Sequence, residues 1–304
     1  MTLTQLEQRT KNYERMEIEG KMVWVPNPVR IPQWPFVGRE TLIEKGLAAW
    51  ARFDGMLPLH YRLYGPPGTG KNAIIYEIAR ILKKELYIIQ GHQELGPEDV
   101  ACSATMTSKS TIEYVASPLW AAAYRGGICL FDEIGKAPQA ALDPLASLLD
   151  DRRTITSVLA GLQLKAHDEF LFCAILNEDE EEGVGLPGFI DERTRPAIRV
   201  GYPPLVELEQ ILNSRLPMLD GKWRKAFLSE FKNETLSPRI AIILLDNAYR
   251  MYRRKHGNKL PMEDEVVYYL NIAYEDNVKE GREKEKEEES KKEPKKAAGK
   301  LFYN

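Results

Sequence analysis

The chain has 304 residues, 43% hydrophobic and 29% charged, with a formal net charge of −3. That is enough apolar material for one large domain and a smaller companion, and it excludes wholesale disorder and a generally basic, nucleic-acid-coating surface. Cys102, Cys129 and Cys173 have no CxxC spacing, and no apolar run reaches membrane-spanning length. These features predict reduced core thiols and a soluble, cytoplasmic protein without a secretory leader.

Met1 to Glu19 is polar and reads as helical. Lys21 to Pro35 carries four prolines with Trp24 and Trp34, so it is expected to be extended and pinned by its aromatics. After Phe36-Val37-Gly38-Arg39, apolar residues at helical spacing predict a helix from Glu40 to Arg52. Leu57 to Tyr64 is an apolar-alternating strand that runs into Gly65-Pro66-Pro67-Gly68-Thr69-Gly70-Lys71-Asn72, and a helix-periodic segment from Ala73 to Lys83 follows at once. Glycines in that order let backbone amides face a polyphosphate. The helix adds its N-terminal N–H groups and dipole, and Lys71 adds a mobile positive charge. Position 72 departs from the pattern, because a phosphate loop normally has Ser or Thr there to bind Mg²⁺ through a hydroxyl.

Glu85 to Gln90 suits a buried parallel strand. Ala101 to Met106 and Ser110 to Val115 read as two short strands around Thr107-Ser108-Lys109, and Pro118 to Tyr124 as helix, so a helix interrupted by a hairpin is expected. Gly127 to Phe131 is a second buried strand, and Pro138 to Asp150 an amphipathic helix. Arg153 to Lys165 alternates as a hairpin turning at Ala160-Gly161. Phe170 to Leu176 is a third buried strand, Gly183 to Gly188 an acid-flanked loop, and Ala197 to Val200 a last strand. Strands alternating with helices predict a parallel α/β sheet. Beyond Val206 the spacing is helical only, giving four helices that end near Glu275. The expected organisation is thus an N-terminal extended segment (1–36), an α/β nucleotide-binding domain (37–203), a helical lid (204–274) and a Glu/Lys tail (275–304) unable to fold alone.

Chemistry gathers where strands end. Asp132 and Glu133 close a buried strand, where open α/β sheets collect their ligands. An aspartate there can hold the Mg²⁺ shell, and the glutamate beside it can polarise a water for in-line attack on a γ-phosphate. Taken alone, the pair reads as helix-capping carboxylates; after the phosphate loop, the catalytic interpretation leads. Asn177 closes the next strand and can offer both a donor and an acceptor to water or phosphate.

With these residues in view, the chain resembles an AAA+ ATPase and, within that group, is similar to the MoxR and NorQ/CbbQ branch, related to dynein-like ATPases. The resemblance covers about Phe36 to Tyr252. Gly65 to Lys71 matches Walker A, Ile128 to Glu133 Walker B, and Leu176-Asn177 sensor 1. Asp191-Glu-Arg-Thr-Arg195 resembles the arginine-finger segment, with Arg193 and Arg195 both open as the finger, and Ser237-Pro-Arg239 resembles sensor 2. The two hairpins match insertions typical of this branch. The resemblance implies ATP and Mg²⁺ bound between subunits of a ring, usually of six. A neighbour's arginine then acts on the γ-phosphate, Arg239 acts in cis, and a von Willebrand A-domain protein is the common partner. It also implies ATP-driven remodelling or assembly of a partner complex. Two departures bear on this. Asn72 brings a longer, neutral ligand to the metal, and Ile134-Gly-Lys-Ala-Pro138 lacks the usual Asn-Arg pair. Asn72 keeps a second interpretation open, a nucleotide-gated structural ring with little hydrolysis. A nucleic-acid-directed motor is permitted by the fold and disfavoured by charge.

Overall fold

The computed structural model describes residues 11–53, 55–106, 111–178 and 186–279. The expected turn at Thr107-Ser108-Lys109, the start of the Gly183 to Gly188 loop and residues 280–304 of the tail lie outside the described residues. The chain divides between Pro203 and Pro204 into two compact units.

The first unit is built on five parallel strands, β3 (Tyr61–Gly65), β4 (Leu86–Gln90), β7 (Ile128–Asp132), β10 (Leu171–Asn177) and β11 (Ala197–Arg199), in the order β11-β3-β10-β7-β4. Alternate residues face opposite sides, so each nearly continuous apolar run supplies two cores. One side packs Leu63, Leu130, Cys173 and Ile175 against the helices α1 (Glu40–Trp50) and α2 (Lys71–Leu82), through Ile43, Trp50, Ile74 and Ile78. The other packs Tyr87, Phe131, Phe172 and Leu176 against α4 (Pro118–Arg125) and α5 (Gln139–Leu148), through Trp120, Leu142 and Leu145. Each such large side chain, fully buried, contributes about 1.5–3 kcal/mol.

A short helix, α3 (Pro97–Val100), leads into the antiparallel strands β5 (Cys102–Met106) and β6 (Ile112–Ala116), and α4 resumes after Ser117, whose Oγ caps it by accepting from Trp120 N at 2.9 Å. This is the expected helix interrupted by a hairpin. The second hairpin, β8 (Thr154–Ser157) with β9 (Leu162–Lys165), also lies where alternation placed it.

The helix expected within Met1 to Glu19 is corrected by the structure. Its described part is a strand, β1 (Tyr13–Ile18), paired antiparallel with β2 (Lys21–Pro26). The turn explains this: Glu19 and Gly20 both have positive φ, 49° and 74°, which suits the two-residue hairpin turn whose twist matches the strands. β2 then pairs in parallel with β6, giving a four-stranded sheet β1-β2-β6-β5. Trp24 Nε1 donates to Glu113 at 3.2 Å, Arg15 pairs with the same carboxylate at 3.1 Å, and Lys21 Nζ donates to Ala160 O and Gly161 O in the β8–β9 turn at 2.5 and 3.0 Å. The N-terminal segment is therefore fastened to both hairpins.

The second unit is helical: α7 (Leu205–Arg215), α8 (Gly221–Glu230), α9 (Pro238–His256) and α10 (Glu263–Tyr274), around Leu212, Trp223, Phe227, Leu244, Tyr252 and Leu270. Between β10 and β11 the first unit also carries α6 (Gly188–Arg193).

Candidate active site

β3 ends at Gly65, and the chain turns through Pro66 to Gly70 before α2 starts at Lys71. Gly65, Gly68 and Gly70 lie at φ 146°, 75° and 91°, values that favour residues without a Cβ and let amides turn inward. Gly70 offers α2 no side-chain cap, so the first-turn N–H groups face outward as an anion site. Thr69 Oγ1 closes the loop onto Pro66 O at 2.9 Å. Arg39 donates to Gly201 O at 2.8 Å and to Thr69 O at 3.4 Å, tying the loop to the residues after β11. These donors and this backbone fit a polyphosphate.

Strand register brings the remaining groups together. Asn177 pairs with Gly65 across β10 and β3, and Gln90 pairs with Asp132 across β4 and β7. Lys71 is buried, and its Nζ donates to Gly65 O (2.7 Å), Pro66 O (3.0 Å) and Asn177 Oδ1 (3.2 Å). Asn72 Nδ2 donates to Asp132 Oδ2 at 2.7 Å. With that nitrogen committed, Asn72 Oδ1 and the Asp132 carboxylate form a hard oxygen pair suited to Mg²⁺. Glu133 sits at φ 53° directly after β7. Its carboxylate accepts from Gln90 Nε2 at 2.7 Å and pairs with Lys136 Nζ at 2.9 Å.

Arg193 and Arg195 stand in different surroundings. Arg193 donates to Phe189 O at 2.9 Å and lies 3.8 Å from Asp150, bonds that hold it against its own chain. Arg195 is 57% exposed and pairs with both oxygens of Asp191, at 3.0 and 2.7 Å. Arg195, with Arg62 behind it, holds the Asp191 carboxyl below the ordinary carboxylate range, against burial, which raises it. Arg239 is exposed in the first turn of α9, where Ser237 Oγ caps the helix by accepting from Ile240 N. It belongs to the second unit.

Four residues of this constellation were not singled out by the sequence: Arg39, Arg62, Gln90 and Lys136. Gln90 carried a usable signal, a polar residue closing an apolar strand just as Asp132 does. Lys136 stands in the segment where the resemblance expects an Asn-Arg pair.

The family profile described as AAA domain (dynein-related subfamily) matches residues 60–188. The denitrification regulatory protein NirQ of Pseudomonas aeruginosa is 30% identical over 151 residues, covering 49% of this chain and 57% of NirQ. Protein NorQ of Paracoccus denitrificans is 30% identical over 115 residues, covering 38% of this chain and 42% of NorQ. The chain thus spans about half the length of the curated relatives it matches. Among solved structures, the RuvB Holliday junction branch migration motor of Thermotoga maritima superposes with a TM-score of 0.55 at 18% identity, over 80% of this chain and 72% of RuvB, a likeness of fold. With a phosphate loop, an acidic strand end and a strand-end asparagine in register on a parallel sheet, residues 60–188 match the AAA domain of the dynein-related subfamily, and the chain is similar to NirQ and NorQ over about half of their length.

Proposed function

We propose that this chain binds ATP with Mg²⁺ at the boundary between subunits of a ring and hydrolyses it to rearrange or assemble a partner protein complex. The observation that carries this reading is the meeting of four strand ends at the phosphate loop, with Lys71 hydrogen-bonded to Asn177, its neighbour Asn72 hydrogen-bonded to Asp132, and Glu133 following Asp132. Lys71 and the loop amides bind the phosphates, and Asp132 with Asn72 Oδ1 holds the metal. Bound Mg²⁺ neutralises charge on the phosphates. Glu133 accepts a proton from the attacking water, and Asn177 orients that water or the phosphate. Gln90 and Lys136 orient the Glu133 carboxylate through their bonds to it. Ring contacts of the head-to-tail kind supply an arginine from the next subunit. A von Willebrand A-domain protein is the partner class this branch suggests.

The test is ATP turnover by the wild type and by Glu133→Gln, with Mg²⁺ present. The expected result is loss of roughly 100-fold or more with nucleotide affinity retained; equal rates in the two would sink the catalytic assignment. The hydrogen bond from Asn72 to Asp132 favours a second reading, a ring that binds ATP and hydrolyses it slowly, because the metal must compete with that bond for Asp132. Asn72→Thr separates the two. A gain in turnover of about tenfold or more supports the slow ring, and an unchanged rate shows that the native amide serves hydrolysis adequately.

A further inference from the structure

Arg62 is an anomaly in its own strand. It sits in β3, just before the phosphate loop, and is only 1% exposed, where an arginine is costly unless its charge is paired and its donors are satisfied. Residues 191–194 supply several of its partners. Arg62 Nη2 meets Asp191 Oδ1 at 2.5 Å, while Nη1 donates to Asp191 O (3.1 Å), Thr194 Oγ1 (3.2 Å) and Thr194 O (3.4 Å). Thr194 is fully buried and its hydroxyl donates to Ile190 O at 2.8 Å. One planar guanidinium therefore grips Asp191 and Thr194, which flank Arg193, with Thr194 immediately preceding Arg195. On the outer side, Asp191 gives the same carboxylate to Arg195.

We infer that Arg62 is a positioning residue: acting through Asp191 and Thr194, it sets the orientation in which Arg195, rather than Arg193, is presented to the nucleotide of the neighbouring subunit. This rests on the proposed ring in which an arginine acts across the boundary. The fork geometry is what matters. A lysine at 62 keeps the charge but cannot bridge Asp191 and Thr194 in one plane. β3 also leads directly into the phosphate loop of the same chain, so a single strand anchors the loop of one site and the arginine offered to the next.

The experiment mixes two inactive chains. Lys71→Ala loses its own nucleotide site but keeps Arg195 to donate; Arg195→Ala keeps its site but needs a donor. If an arginine acts across the boundary, mixing restores turnover, and absence of restoration would refute that reading and this inference with it. Given restoration, adding Arg62→Lys to the donor should lower the restored kcat by about tenfold or more with KM for ATP little changed. Adding it to the receiver should have a much smaller effect. Asp191→Asn in the donor, a milder change at a partly exposed position, should reproduce the loss, and Asp191→Glu should recover part of it. Equal losses from donor and receiver placement, or none from either, would overturn the inference while leaving the trans arginine intact. Oligomer size and melting temperature of each variant, measured in parallel, separate mispositioning from failure to fold.

Discussion

Gly91→Ala is the sharpest small perturbation of the proposed chemistry. Gly91 follows β4 and donates its N–H to Asp132 O at 2.8 Å. A Cβ built on it would lie 2.2 Å from Glu133 O and 2.8 Å from Glu133 C, so the added methyl meets backbone rather than a side chain that can swing away. Relief needs a shift of roughly 1 Å, and overpacking of this kind costs about 1–3 kcal/mol. Glu133 has little room to yield, because it is already in the left-handed region and its carbonyl accepts from Lys136 N at 2.9 Å. Displacing a catalytic group by about 1 Å costs on the order of 100-fold in rate. The assay is steady-state ATP hydrolysis alongside equilibrium titration of a fluorescent ATP analogue and thermal melting. The expected result is a kcat lowered by about two orders of magnitude with nucleotide affinity near wild type, since the clash falls on Glu133 and not on the phosphate loop. Wild-type kcat with an unchanged melting temperature would refute the close approach as a constraint. An affinity loss as large as the kcat loss would refute its localisation to Glu133.

Two further predictions concern stability. Burial and, secondarily, the charge of Arg153 push the His60 imidazole down to about 4, so it is neutral in the folded chain at pH values where the unfolded chain protonates it. Its contribution is full above about pH 6.5, falls as pH drops towards 4, and by pH 5 amounts to a loss of about 2 kcal/mol. His60→Phe, beside Phe170 and Phe172, should remove that share of acid destabilisation in urea unfolding compared at about pH 7.5 and pH 5; identical losses in variant and wild type would exclude the imidazole as the cause. Glu113→Ala strips Trp24 Nε1 and Arg15 of their shared acceptor and should cost about 1–3 kcal/mol locally. Amide exchange should then quicken across Tyr13–Ile18 and Lys21–Pro26 while β3, β7 and β10 stay protected, and uniform protection would count against it.

Much of the fold was legible because buried parallel strands write themselves as continuous apolar runs, each closed by a polar residue. The same feature located Asp132 and Asn177, since a carboxylate or amide ending such a run lies at the ligand-bearing edge of the sheet. β1 was not legible as a strand. Its polar residues follow no clear alternation, and the informative pair, Glu19-Gly20, speaks only through backbone angles. Arg62 was hidden for another reason: in sequence it merely interrupts an apolar run, and its partner Asp191 comes from 129 residues further on. The departure at Asn72 was plain in the sequence, but its bond to Asp132 depends on where α2 starts relative to the end of β7.

The sheet shared by the N-terminal hairpin and the interrupted helix has a consequence for how the chain is made. Trp24 and Glu113 are 89 residues apart, so β1 and β2 leave the ribosome well before the strand that completes them. At about 5–20 residues per second that interval lasts on the order of 5–20 s, and a two-stranded hairpin alone is marginally stable in water. Closing a loop of that length costs about 4 kcal/mol of chain entropy. The hairpin of β1 and β2 is therefore fixed only once β6 has been made and can pair with it.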